Sequence, residues 1–241
     1  QLSGDQVRKA YVYLPEGYEE DPERRYPVMY LFDGHNVFFD EDATYGTSWG
    51  MYDYMEESGK QLILVGIECN REGDGRLREY APVTFEDSEL GRIEGEGKRY
   101  MHWLIKELKP YIDGNFRTLP DRENTLICGS SMGGLMALYA ATTFNHVFQR
   151  AACLSPSLWV APGKMLELIA RAHIRRDTCI YLDYGAREMS NHAANAEALF
   201  STSHLLMTKG VNLTFRIVPG GTHCEASWAR QVPIFMECLG V

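Results

Sequence analysis

Apolar and polar positions along the chain follow two rhythms. In KAYVYLPEGY, Ala10, Val12 and Leu14 alternate with Tyr11 and Tyr13, the period of a strand with two distinct faces, and Pro15 and Gly17 end it. After a polar turn, YPVMYLFDG is almost wholly apolar over 27–32, which predicts a strand buried on both faces that stops at Asp33-Gly34. LILVGIE (62–68) predicts a third strand. From Gly97 the period becomes helical: Tyr100, Trp103, Leu104, Leu108, Tyr111 and Ile112 fall on one stripe. Four strand–helix alternations follow: TLIC then GLMALYAAT, RAACLSP then KMLELIARAH, CIYLDYG then ANAEALFSTSHLLMTKG, and NLTFRIVPGG then EASWARQVPIFMECL, with Gly210 closing the third helix and Pro233 interrupting the last. That alternation predicts an α/β fold, a mainly parallel central sheet with helices on both faces. The glycine- and charge-rich stretch around 69–97 is a surface insertion in a single domain spanning 1–241.

Composition narrows the class. The 241 residues are 45% apolar and 24% charged, as in globular proteins, and no apolar run reaches the length of a membrane span. A net charge of −9 without a lysine–arginine block argues against nucleic acid and anionic membranes as partners. The six cysteines form no C-x-x-C pair and read as free thiols of a reducing compartment. The N-terminus has no signal-peptide pattern, so a cytoplasmic location is expected. Because the chain starts at Gln1 rather than Met, a trimmed N-terminus and export stay open, as does a homo-oligomer.

The candidate chemistry begins at TLICGSSMGG (125–134). Gly129-Ser130-Ser131-Met132-Gly133 satisfies G-x-S-x-G with Ser131 at its centre, between a predicted strand and a predicted helix. Such a turn needs small residues two places before and after the serine, and it lifts the hydroxyl above the sheet at a helix N-terminus. Ser131 is therefore the expected nucleophile and Ser130 a packing hydroxyl. A serine needs a base, and in doubly wound hydrolases acid and histidine follow it in that order. His223, in IVPGGTHCEASW after the final strand, is the expected base. Asp183 and Glu188, at and after the end of CIYLDYG, compete as the acid; Glu188 is preferred because it lies in the loop beyond the strand. Expected oxyanion donors are the backbone N–H groups of Met132 and of His35, the latter in the Asp33-Gly34-His35-Asn36 loop.

With these residues in place, the chain resembles the Putative esterase branch of the α/β-hydrolases, which includes feruloyl and acetylxylan esterases, S-formylglutathione hydrolase, enterochelin esterases and mycolyl transferases. The marks are VYLPEGY, YPVMYLFDG, REYAP (78–82), GSSMGG, LSPSLW (154–159), YGARE (184–188) and GGTHCEASW (220–228). The resemblance implies a serine hydrolase without a cofactor and supports Glu188 as the acid, although the family often has aspartate there. Trp49, Tyr80, Trp159 and Trp228 offer aromatic lining for a small-molecule or carbohydrate ester. No metal site is expected: His223-Cys224-Glu225 are adjacent residues that rarely converge on one ion, and H-E-x-x-H is absent. Three functions follow: a carboxylic ester hydrolase, an acyltransferase with the same three residues, or a catalytically silent binding member of the fold.

Overall fold

The structure is a computed structural model that describes residue 2 and residues 7–188 and 192–241. Seven strands form one sheet in the order β1-β3-β2-β6-β7-β8-β9. They are β1 (Ala10–Tyr13), β2 (Val28–Phe32), β3 (Ile63–Ile67), β6 (Thr125–Ser130), β7 (Arg150–Leu154), β8 (Cys179–Gly185) and β9 (Asn212–Val218), with β4 (Phe85–Asp87) and β5 (Gly91–Ile93) as a separate hairpin. Within the seven-stranded sheet β1 runs antiparallel to β3, while β2, β3, β6, β7, β8 and β9 are parallel. β2 pairs with β3 on one side and β6 on the other, so the strand order reverses there. That reversal opens a crevice at the carboxyl ends of β2 and β6, where sites in open α/β sheets collect.

Alternation within the strands splits the core in two. Val28, Tyr30, Phe32, Ile127, Ala151, Cys153, Ile180 and Leu182 face one layer, with α5 (Met132–Thr143) and α6 (Pro162–Arg171). Met29, Leu31, Leu126, Cys128, Ala152, Leu154 and Tyr181 face the other, with Met51 and Met55 of α1 (Met51–Ser58) and Val232, Phe235 and Met236 of α9 (Val232–Cys238). Because both faces are covered, β2, β3 and β6 are buried at every position, which is why they read as continuous apolar runs. Among the described residues no helix is long and apolar enough to cross a membrane.

The structure adds to or departs from the sequence reading at three places. The helix expected from Gly97 is not uniform: α3 (Gly97–Trp103) passes through a π-helical turn, Leu104–Leu108, into α4 (Lys109–Asn115). The wider turn rotates the following residues, so Tyr111 leaves the buried stripe and is 62% exposed. The stretch around 69–97 contains α2 (Gly75–Glu79) and the β4–β5 hairpin, and its first residues reach the sheet crevice. Helix α1 has no counterpart among the expected elements; Gly50 and Gly59, both left-handed at φ 62° and 61°, bracket it. Around Pro233 the last helix divides as expected, into α8 (Glu225–Ala229) and α9, with the proline in the first turn of α9, where its missing N–H costs nothing.

Candidate active site

The turn between β6 and α5 carries the strain that G-x-S-x-G implies. Ser131 has φ 56° and ψ −122°, an uncommon conformation for a residue with a side chain. It is held by its N–H to Leu154 O (3.0 Å) and by its carbonyl, which accepts from Ser157 and Leu135 N–H (both 3.0 Å). Glycine is required on either side: a Cβ on Gly129 would sit 2.5 Å from the Gly133 carbonyl carbon, and one on Gly133 would sit 2.9 Å from Phe32 Cβ.

His223 lies in the loop between β9 and α8. Its Nε2 is 2.9 Å from Ser131 Oγ, and its Nδ1 is 2.9 Å from Glu188 Oε2. Glu188 is 1% exposed, and its other oxygen accepts from Gly185 N–H (2.7 Å) and from the Ser155 hydroxyl. Ser157 Oγ stands 3.3 Å from Ser131 Oγ. The structure thus brings Ser131, His223 and Glu188 into one hydrogen-bonded line. Ser130 is 6% exposed at the end of β6, one residue before the turn, and it is the Ser131 hydroxyl that meets His223.

Asp183 occupies a different place. It is 1% exposed, accepts from Ser155 N–H at 3.0 Å and from Tyr181 hydroxyl at 2.9 Å, and lies under the loop rather than against the imidazole. Burial pushes its carboxyl up to about 7, against the hydrogen bonds from Ser155 and Tyr181 that favour the ionised form. The folded state therefore holds this proton more tightly than the unfolded chain does. The stability gained is full below about pH 4 and is lost as pH rises through about 7. Asp183→Asn has no charge to bury. The wild-type stability to urea is expected to fall relative to that of the variant between about pH 4 and pH 7, by at most about 4 kcal/mol. Parallel pH dependences in the two proteins would contradict this.

Met132 is the first residue of α5 and His35 the second of a 3₁₀ turn, Gly34–Asn36, after β2. Neither N–H has an acceptor within its own helix, the condition for an anion-binding pair. The loop bearing His35 is clamped from below. Asp33, left-handed at φ 55°, accepts from Arg76 Nε (2.7 Å) and Nη2 (2.8 Å), and its N–H donates to the Tyr80 hydroxyl oxygen (3.2 Å). Burial pushes the Asp33 carboxyl up, but the Arg76 guanidinium outweighs it and holds the group below the ordinary aspartate range. The His35 ring is itself buried: Nε2 meets Thr44 Oγ1 at 3.1 Å, and burial lowers its proton affinity. Gly34 is obligatory, since a Cβ there would lie 2.3 Å from the Gly66 carbonyl carbon.

Asp33, His35 and Cys69 gather potential metal-ligating atoms within 4.8 Å. They make a poor cation site. Both Asp33 oxygens are taken by Arg76, and burial pushes the Cys69 thiol far above its ordinary value.

The crevice above Ser131 has a volume of about 420 Å³ and presents polar and apolar surface in equal measure, with Asn36, Tyr45, Arg71, Arg76, Glu225 and Trp228 in its wall. Burial raises the Glu225 carboxyl, which accepts from Asn36 Nδ2 at 3.3 Å. Of the four aromatics expected to line the site, only Trp228 does. Trp49 is buried against Trp228 and Phe235, and Tyr80 is fully buried beneath the His35 loop. Trp159 lines a second cleft with Phe85 and Arg92. The corrections at Trp49 and Tyr80 share a cause: each ring fills a gap between elements distant in sequence. Sequence reasoning missed Arg71, Arg76, Ser155 and Ser157 as site residues; the serines lie in LSPSLW, at the end of the strand next to that of Ser131.

Comparison with known proteins completes the description. The family model described as "Putative esterase" matches residues 3–234. The chain is 32% identical over 143 residues to an endo-1,4-beta-xylanase/feruloyl esterase of Xylanibacter ruminicola, covering 55% of this chain and 17% of that one. It is 23% identical over 247 residues to the ferri-bacillibactin esterase BesA of Bacillus subtilis, covering 92% and 81%. The chain spans between 17% and 58% of the length of four curated relatives that it matches. Among solved structures, an IroE-like serine hydrolase from Shewanella oneidensis superposes with a TM-score of 0.76 at 22% identity, covering 97% of this chain and 75% of that one. The fold is that of the α/β-hydrolases.

Proposed function

Because this chain belongs to the Putative esterase family, we propose that it is a serine carboxylic ester hydrolase working through an acyl-enzyme. The observation that carries the reading is the line Ser131 Oγ–His223 Nε2 and His223 Nδ1–Glu188 Oε2, both links 2.9 Å long. In this reading Ser131 Oγ attacks the ester carbonyl as His223 Nε2 takes its proton. Glu188 holds the tautomer with hydrogen on Nδ1 and balances the imidazolium. The N–H groups of Met132 and His35 receive the oxyanion, aided by the positive end of α5. His223 returns its proton to the leaving alcohol, and a water activated by the same imidazole then releases the acid and frees Ser131.

A crevice of about 420 Å³ with Arg71, Arg76 and Glu225 in its wall favours a short acyl group over a long aliphatic one. The names of the relatives, feruloyl esterase and ferri-bacillibactin esterase, support ester hydrolysis as the reaction class. Six free cysteines support action in a reducing, cytoplasmic setting. The test is a panel of p-nitrophenyl acetate, butyrate and octanoate with a feruloyl ester and a thioester, run with and without added sugar acceptors. The expected result is kcat/KM for acetate at least ~10-fold above octanoate, with free acid as the product whether or not acceptor is present. Predominant acyl transfer to the sugar, or no turnover of any ester, would contradict the proposal.

A further inference from the structure

Glu188 is held by more than its own loop, and the pattern of donors around it dictates how. Its Oε1 accepts from the Ser155 hydroxyl and from Gly185 N–H, which leaves Oε2 turned to His223 Nδ1. Ser155 Oγ is also 2.9 Å from Trp228 Nε1. An indole nitrogen can only donate, so Ser155 Oγ must accept there, and its single proton is committed to Glu188. The direction of the chain Trp228 N–H to Ser155 O–H to Glu188 is therefore set by chemistry rather than by choice of rotamer. Ser155 is held in the left-handed region, φ 42°, by its N–H, which meets both the carbonyl (3.2 Å) and the Oδ1 (3.0 Å) of Asp183. At the other end, the Trp228 ring packs edge-to-face on His223, with centroids 5.0 Å apart and planes at 82°. Ser155, Asp183, Glu188 and Trp228 are all buried.

We propose that Ser155 is a positioning residue: oriented by Trp228 and Asp183, it fixes the rotation of the Glu188 carboxylate so that one oxygen faces His223. The inference rests on the esterase reading for its kinetics but has a consequence that needs no substrate. Without the Ser155 hydroxyl, Oε1 keeps only the Gly185 donor and the carboxylate can turn away from the imidazole. A site that depends on a hydrogen bond of defined geometry loses rate when its support is loosened, while substrate binding is untouched.

Ser155→Gly is the informative substitution, because it deletes the hydroxyl and relieves the left-handed backbone, so the fold is retained. The expected result with p-nitrophenyl acetate is a 10- to 100-fold fall in kcat, KM within about twofold of wild type, and the acid limb of the kcat/KM profile moved to lower pH as the imidazolium loses its fixed partner. Trp228→Phe, which keeps a ring but deletes the N–H, is expected to lower kcat less. The double variant should be less impaired than the product of the two single effects, because part of the Trp228 effect runs through Ser155. The proton NMR resonance of the His223 Nδ1 hydrogen reads the same geometry without substrate and should move upfield in Ser155→Gly. An unchanged resonance together with kcat within twofold of wild type, or fully multiplicative single effects, would overturn the inference. If wild type hydrolyses no ester, the esterase reading fails while the resonance still decides the role of Ser155.

Discussion

Ser131→Ala is expected to abolish turnover of p-nitrophenyl acetate, with kcat lowered roughly 10⁴- to 10⁶-fold, the scale on which removal of a nucleophile acts in serine hydrolases. The argument is geometric. Ser131 Oγ stands 2.9 Å from a nitrogen that can take its proton, at a turn whose strained backbone holds the hydroxyl over the crevice. With alanine there, His223 and the proposed Met132 and His35 N–H donors remain, but no acyl-enzyme can form. Substrate binding should change little. Ser130→Ala serves as the matched control, since it removes a neighbouring hydroxyl that lies in the strand and not in the turn, and it should leave kcat within a few-fold of wild type. Comparable activity in wild type and Ser131→Ala would contradict the assignment outright.

The second large effect separates the two acids. Glu188→Gln should lower kcat roughly 10²- to 10⁴-fold, because an amide facing His223 Nδ1 favours the wrong tautomer and offers no charge to the imidazolium. Asp183→Asn should cost less than about tenfold. Asp183 meets Ser155 N–H and Tyr181, not the imidazole, and with its proton affinity raised to about 7 it is already partly neutral near neutral pH. Far-UV circular dichroism establishes that both variants are folded. A large loss in Asp183→Asn beside a small one in Glu188→Gln would reverse the roles.

Which parts of this were legible in the sequence follows from where each signal resides. The strands and helices after residue 125 stand out as alternating apolar runs bounded by turn residues, and the turns at GSSMGG and GGTH carry their own conformational demands, so the positions of Ser131 and His223 could be read along the chain. Glu188 was readable only as a preference: Asp183 lies within β8, where Tyr181 and Asp183 share a face, and only the register with β7 shows that Ser155 and not His223 lies above it. The Asp33–Arg76 pair, 43 residues apart, and Ser155 beneath Glu188, 33 residues apart, exist only once the sheet has assembled. The buried rings Trp49 and Tyr80 misled because an aromatic near a predicted loop looks the same whether it faces ligand or core. Helix α1 was overlooked because its two buried methionines are too few to set a helical period against the tyrosines and acids between them. The bracketing glycines were the available cue.

The most direct test of the central claim is intact-mass and peptide analysis after treatment with a fluorophosphonate, which loses fluoride when a serine oxygen attacks phosphorus. The expected result is one adduct per chain, located on Ser131 within residues 125–134, absent in Ser131→Ala and formed far more slowly in His223→Ala. An adduct on another residue, or no adduct in a protein that still hydrolyses esters, would contradict it.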